Sequence, residues 1–435
     1  MKLAPYFPDS AQINNNILEI GGCNLKEIAQ KFGTPLYIID ETTLLNAINK
    51  YKSALKEFYP NSQVLFAGKA LCLKAIFSIL NKQEIGVDVV SEGELYTAQS
   101  INFPAEKIYF HGNNKSLKEL QKACLYKTKI VLDNFDEIDR LISLNTPAKV
   151  LLRVTPGIEC HTHEYIKTGH LDSKFGFDLE QLDSALQKLL EHRHIEILGL
   201  HAHIGSQIFE IQPYEDEAKI LMNLYADIKR KYNLEFEELD IGGGIGIYYT
   251  EKDEPPCIRE VIERITNSIK ENVKILNLKL PKLILEPGRS LVGRAGITLY
   301  TVGSSKKIPE GKHYIAVDGG MADNPRSITY GAKYSCVSIE DPLKQEEQIT
   351  YCLAGRFCES GDVLIKEVEL PKNLKQGDLL VIFSTGAYNY SMSSNYNRVA
   401  KPAMILVKDG QADLILKREN LEDLLRNDLL PERLR

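Results

Sequence analysis

Eight short apolar runs recur along the first two thirds of the chain, at Val64–Ala67, Ile85–Val90, Ile108–Phe110, Ile130–Asp133, Val150–Val154, Ile197–Ile204, Leu239–Ile241 and Leu283–Glu286. They are continuous rather than alternating, the pattern of parallel strands buried on both faces. Amphipathic or charged stretches separate them, among them Leu117–Leu125, Gln181–His192, Tyr214–Lys231 and Ile258–Lys270. Those gaps accommodate the crossover helix that a parallel pair requires. Eight such units in about 220 residues predict a (β/α)8 barrel, a fold of typically ~250 residues. Past Glu286 the pattern changes. Ile297–Val302, Tyr314–Val317, Gln348–Leu353, Asp378–Phe383 and Ala403–Lys408 read as strands between Gly, Pro and Asn turns, with a helix only at Glu419–Leu425. Ile17–Ile20, a helix at Leu25–Phe32 and a strand at Leu36–Ile39 precede the barrel and are assigned to the same β-rich domain. The expected organisation is α/β: an N-terminal segment, residues 1–40, that joins the β domain; a barrel, residues 41–286; and a mostly β C-terminal domain, residues 287–435.

Polar residues stand at or just beyond the end of each run. Lys69 follows the first, Asp88 lies in the second, and His111 with Asn113 and Asp133 with Asn134 follow the third and fourth. Arg153 comes next, then His203, the glycine run Gly242–Gly246, and Glu286-Pro-Gly-Arg289. Barrel enzymes carry their chemistry at the C-terminal ends of several strands, so the series points to one face and one site. Each member also has a plainer reading. A strand-end lysine is a surface charge, a phosphate contact or a desolvated amine able to form a Schiff base. A glycine run is a tight turn or a backbone cradle for an anion. Arg289 offers a bidentate partner to phosphate or carboxylate. Glu286 is a rim salt-bridge partner or the carboxylate that keeps a pyridine nitrogen protonated. His203 is a satisfied buried histidine or a ring lying against an aromatic cofactor. The pairs His161/His163 and His201/His203 raise a metal reading, but no carboxylate motif completes the set, and no metal is expected.

With 26% charged residues and a formal net charge of -6, the composition is that of a soluble protein with no electrostatic cause to bind nucleic acid or a membrane surface. The first residues form no sustained apolar segment, and no run approaches the ~20 residues of a membrane span. Eight cysteines without a Cys-x-x-Cys pair read as reduced thiols, and a cytoplasmic location is expected.

In combination these motifs resemble the fold-type III pyridoxal-phosphate-dependent decarboxylases over residues 10 to 410, on the branch that acts on diaminopimelate. The resemblance lies in Phe66–Ala70, His203-Ile-Gly-Ser206-Gln, Gly242–Gly246, Glu286–Arg289, Cys358-Glu-Ser-Gly-Asp362 and Gly386–Tyr390, with Pro156–Gly169 and Asp323-Asn-Pro-Arg326 marking the branch. Phe66 stands where tyrosine is frequent, and Ser327-Ile328-Thr329 replaces a more usual Pro-Ala-Leu. The resemblance implies pyridoxal 5'-phosphate held by Lys69, Asp88, His203, Ser206, Gly243, Gly244, Glu286, Gly288, Arg289 and Tyr388. It implies a substrate met by Arg289, Arg326, Tyr330, Glu359 and Tyr388, and Cys358 as proton donor beside Lys69, His203 and Glu286. The implied reaction is decarboxylation of meso-diaminopimelate at its D centre to L-lysine and CO2, in a homodimer whose Cys358 loop serves the neighbouring subunit. Two other readings stand beside it. One is the same chemistry on ornithine, lysine or arginine, against which Arg326 speaks. The other is a non-catalytic cofactor-binding regulator, against which Lys69 and Cys358 speak.

Overall fold

The computed structural model describes residues 3–158 and 173–435. Cys160, the His161/His163 pair and Glu159–Gly169 of the branch-marking segment lie outside the described residues.

The chain divides into two compact units: residues 47–247 with 254–291, and residues 1–46 with 248–253 and 292–435. The first unit is a closed barrel of eight parallel strands: β1 (Ser62–Ala67), β2 (Gly86–Val89), β3 (Ile108–Phe110), β4 (Lys129–Leu132), β5 (Ala148–Thr155), β6 (Ile195–His201), β7 (Glu238–Asp240) and β8 (Lys282–Leu285). They pair in sequence order, and β8 closes on β1 with Leu283 opposite Ser62. Leu65, Tyr109, Val131, Leu151, Leu198 and Ile284, from six different strands, form a buried cluster that fills the interior. The barrel is therefore a packed core, and chemistry is left to its ends.

Local signals set the helices between the strands. Ser116 and Glu119 form a reciprocal capping box at the start of Leu117–Tyr126. Asn134 caps Phe135–Leu144 by accepting the Glu137 N–H, and it also donates to the Asn113 carbonyl. Both asparagines of the strand-end series thus have structural duties. Beneath them Lys115, almost wholly buried, donates to the carbonyls of Gly112 (2.5 Å) and Val131 (2.8 Å) and pairs with Glu137 at 2.9 Å. Glu137 in turn accepts the N–H groups of Lys115 and Asp133. This pair ties the turn after β3 to the turn after β4, fixing His111 and Asp133 above them.

Helix Gln212–Tyr232 carries a different kind of buried charge. Glu217 is fully buried, and neither carboxylate oxygen has a hydrogen-bond partner among the described residues. Burial pushes its carboxyl well above the usual range, so the folded protein holds the proton. The unfolded chain loses that proton near the ordinary value of 4.5. Stability supplied by the neutral acid is complete at low pH and is lost as pH rises above that value, by at most about 1.4 kcal/mol per pH unit. Glu217→Met is expected to raise the unfolding temperature, and by more at pH 8 than at pH 5. Thermal unfolding at the two pH values checks this; an advantage that shrinks with pH contradicts it.

The second unit is mostly sheet. Strand Leu36–Asp40 lies between Gly296–Lys307, antiparallel, and Ala403–Lys408, parallel, so the N-terminal segment completes a sheet built from the C-terminal part. Tyr6, Phe7, Leu18, Ile20, Leu299, Val381, Phe383 and Ile405 belong to its core. The excursion Tyr248–Asp253 joins this unit: the Tyr248 side chain packs on that core, and its carbonyl accepts the Ser384 hydroxyl at 2.7 Å.

Candidate active site

Seven barrel strands end in, or run directly into, a residue of one polar cluster. Asp88 is in β2, His111 follows β3, Asp133 follows β4, Arg153 lies in β5, His201 ends β6, Asp240 ends β7 and Glu286 follows β8. Lys69 comes two residues after β1, in a single 3-10 turn, Gly68–Ala70. A Cβ on Gly68 would stand 2.6 Å from the Asp88 carbonyl, which is why this turn needs glycine before the lysine.

Glu286 is the centre of the cluster. His111 Nε2 lies 2.7 Å from Oε1, and His201 Nε2 lies 3.1 Å from Oε2. The two imidazoles meet edge to face with centroids 4.8 Å apart. Burial pushes the Glu286 carboxyl up, but the two histidines outweigh it, and the group lies well below the usual carboxylate range. Asp240 behaves oppositely. Burial and the neighbouring Glu286 hold its carboxyl well above the ordinary value, against the Gly242 N–H that it accepts at 2.9 Å. Two adjacent carboxyls cannot both ionise at low cost, and the asymmetry of their partners leaves the charge on Glu286. Burial also lowers His201 to about 4, opposed by Glu286, so it donates Nε2–H as a neutral ring. Asp88 is raised by burial, countered first by His111.

His111, His201, Asp240 and Glu286 place one potential ligand atom each within 4.8 Å of one another. This is a donor set of metal-binding type on residues other than the His161/His163 pair. Among the described residues His201 Nε2 and Glu286 Oε2 share a hydrogen bond, whereas His111 Nε2, Glu286 Oε1 and Asp240 Oδ2 are buried without a hydrogen-bond partner.

The other end of the site is glycine-rich. Gly242 and Gly244 have φ of 62° and 107°, and a Cβ on Gly243 would fall 2.2 Å from the Glu286 carbonyl oxygen. His203 Nδ1 accepts the Gly243 N–H at 3.3 Å. Burial, reinforced by Lys69 and Arg153, keeps that imidazole well below its ordinary value and therefore neutral. Arg289, buried, donates to the Ser206 hydroxyl at 2.9 Å, joining the loop after β6 to the turn after β8. Arg153 stacks its guanidinium 4.4 Å from the Phe175 ring centre, and Asp133 accepts the Gly176 N–H.

In the sheet unit, Arg326 is 4% exposed inside a cage of tyrosines. Nη1 donates to the hydroxyls of Tyr249 (3.0 Å) and Tyr334 (2.8 Å), and the guanidinium carbon lies 5.1, 5.9 and 5.9 Å from the rings of Tyr249, Tyr334 and Tyr388. Tyr388 takes the left-handed conformation, φ 69°. Tyr330 caps the short helix Arg326–Thr329, its N–H bonding the Arg326 carbonyl. Asp323, in the same segment, is structural: it accepts the Tyr300 hydroxyl and the Gly320 N–H, and burial raises it to about 7. In the Cys358 loop, Asp362 is buried and accepts the N–H groups of Met321 (2.7 Å) and Phe357 (2.8 Å). Cys358 and Glu359 form an exposed tip on that anchor. The seven described cysteines are all free thiols.

Asp240, Tyr249 and Tyr334 carry no motif and escape sequence reasoning; His111 appears there without a task, and His201 only in a metal reading. A lone acid two residues before a glycine run is the available signal for Asp240.

Residues 45–293 match the family model for the pyridoxal-binding domain of pyridoxal-dependent decarboxylases. The chain is 49% identical to the diaminopimelate decarboxylase of Synechocystis, over 98% of this chain and 93% of that one. With the Bacillus subtilis diaminopimelate decarboxylase it shares 45% identity over 97% of both. Among solved structures, the diaminopimelate decarboxylase from M. jannaschii in complex with L-lysine superposes with a TM-score of 0.92 at 34% identity over the whole of both chains. The strand-end lysine, the glycine cradle, the buried Glu286 and the likeness along the full length agree: the chain belongs to the diaminopimelate decarboxylase family of pyridoxal-dependent decarboxylases.

Proposed function

We propose that this protein decarboxylates meso-diaminopimelate at its D centre, giving L-lysine and CO2, with pyridoxal 5'-phosphate as cofactor. The observation that carries the substrate is Arg326, a buried guanidinium whose tyrosine cage holds it ready for a carboxylate. Ornithine, lysine and arginine have no distal carboxylate to place there.

The donor set fits the cofactor. Its phosphate suits the Gly242–Gly246 backbone, whose glycines leave no room for a Cβ, together with Ser206, Arg289 and, in this reading, Tyr388. Gly243, Gly244 and Gly288 let the backbone come close. Its ring nitrogen suits Glu286, which stays ionised, and its carbonyl suits the amine of Lys69, with Asp88 beside it in the same electrostatic field. His203, neutral and hydrogen-bonded by Gly243, would in this reading lie against a ring face. When bound, the cofactor supplies an electron sink for the pair left on Cα as CO2 departs.

The remaining steps belong to the chain. Arg289 and Tyr388 orient the reacting end of the substrate; Arg326, with Tyr330 beside it, takes the distal carboxylate and Glu359 the distal ammonium. Cys358 delivers one proton to Cα, replacing the carboxylate lost. The exposed Cys358–Glu359 tip suits a site on a second copy of the chain, so the active form is a homodimer with shared sites. CO2 release with added pyridoxal phosphate, compared across meso-diaminopimelate, L-ornithine, L-lysine and L-arginine, tests the reading. Turnover of meso-diaminopimelate alone is expected. Turnover of a simple diamino acid in its place removes the substrate assignment, and no turnover with cofactor bound removes the catalytic one.

A further inference from the structure

Glu286 carries two histidine partners, and the function above uses neither. A carboxylate that only had to meet a ring nitrogen needs one oxygen for it, and the other is ordinarily met by water or a backbone N–H. Here Oε2 shares a hydrogen bond with His201 and Oε1 lies in ion-pair contact with His111 at 2.7 Å, and both rings are buried. The edge-to-face packing of the rings leaves neither free to swing away. Their backbones are fixed as well: His201 is paired across the sheet with Arg153 on one side and Asp240 on the other, and the His111 N–H bonds the Val89 carbonyl at 2.8 Å.

We propose that His111 and His201 are positioning residues that grip the two oxygens of Glu286, keep it an ionised carboxylate, and so hold the ring-nitrogen proton of bound cofactor on the nitrogen rather than on Glu286. The inference rests on the reading of Glu286 as the partner of that nitrogen. A hydrogen-bond donor on one oxygen, His201, and an imidazole nitrogen 2.7 Å from the other, His111, lower the proton affinity of a buried carboxylate. A carboxylate of low proton affinity leaves a shared proton on its partner. Asp240 is the counterpart of this arrangement. It lies one strand over, has the Gly242 N–H on Oδ1, and takes the proton that two adjacent acids would otherwise contest. The charged and titratable groups that share the field are Asp88 from β2, Asp133 after β4, Arg153 from β5, His203 after β6 and Lys69 after β1.

The test is the nitrogen-15 chemical shift of ring-labelled pyridoxal phosphate in the holoenzyme, which separates a protonated from a neutral pyridine nitrogen. The wild type is compared with His111→Phe and His201→Phe, which keep a flat ring and remove the donor, and with His111→Gln and His201→Gln, which restore an N–H. The wild-type signal is expected at the pyridinium position. In the phenylalanine variants it moves toward the neutral position and kcat falls on the order of 10–100-fold, as for groups that orient a ligating side chain. The glutamine variants recover part of both. A merely structural role lowers kcat or stability but leaves the shift in place, so an unmoved pyridinium signal in both phenylalanine variants overturns the inference. If a phenylalanine variant fails to fold, the glutamine variants decide: a nitrogen shift and kcat equal to those of an alanine replacement overturn it too. A neutral nitrogen in the wild type itself removes the Glu286 reading along with the inference.

Discussion

Replacing Lys69 with alanine is expected to lower kcat for CO2 release by about a thousandfold or more, equivalent to ~4 kcal/mol of lost transition-state stabilisation. The reason is covalent. Among the described residues Lys69 is the lysine of the strand-end series, and in the proposed reading its amine is the group that joins the cofactor's carbonyl. The 3-10 turn of Gly68–Ala70 sets its position through the backbone, so alanine removes the amine without disturbing the turn. Steady-state CO2 release and the loss of the visible absorbance of bound cofactor both read the effect. Activity kept within tenfold of wild type would dismiss Lys69 as the attachment point. The same variant tests the shared site. Mixed in equal amounts with an inactive Cys358→Ala protein, it is expected to regain up to about a quarter of wild-type activity, since half the dimers then contain one intact composite site. No recovery, with dimers exchanging subunits, would place Cys358 in its own chain's site.

Arg326→Gln is expected to cut kcat/KM for meso-diaminopimelate by about 100- to 1000-fold, the range for truncating one partner of a buried charge pair. The cage explains the size. Arg326 is buried with two tyrosine hydroxyls on one nitrogen and, among the described residues, no partner on Nε, and in the proposed reading the substrate carboxylate is its counter-ion. Glutamine keeps polarity and loses the fork that pairs with a carboxylate. The loss should appear mainly in KM, since the contact is made as strongly with bound substrate as at the transition state. Cofactor binding should be unaffected. Initial-rate kinetics over a range of substrate concentrations decides, and an unchanged KM for meso-diaminopimelate would deny Arg326 the distal carboxylate.

The sequence is most readable where burial is symmetrical. The apolar runs 130–132 and 283–285, within barrel strands Lys129–Leu132 and Lys282–Leu285, are covered on both faces, so each polar residue after them stands out. The glycine run and Glu286-Pro-Gly-Arg289 are visible for the same reason. Readability fails where one face is wet. Val363–Pro371 is a nine-residue strand whose lysine and glutamates face solvent, and its interrupted apolar pattern conceals it. Gly296–Lys307 runs five residues beyond the apolar stretch because its exposed end, Ser304-Ser305-Lys306-Lys307, pairs with its neighbour through backbone and a Ser305–His313 side-chain contact rather than through apolar packing. In the site, isolated residues were the obscure ones. Asp240 looks like any acid before a turn, and its meaning comes from Glu286, 46 positions later. Tyr249 sits on an excursion from the barrel segment, so nothing adjacent in sequence ties it to Arg326. The resemblance to a family supplied the roles of Cys358 and Glu359, since composition makes that loop an ordinary turn.

The most direct measurement uses meso-diaminopimelate carrying carbon-13 in one carboxyl at a time, with CO2 and lysine analysed after turnover by the wild-type holoenzyme. Label in the D-centre carboxyl is expected to appear wholly as 13CO2, and label in the L-centre carboxyl to remain in L-lysine. Label released from the L centre, or lysine formed without labelled CO2 from the D centre, would contradict the account.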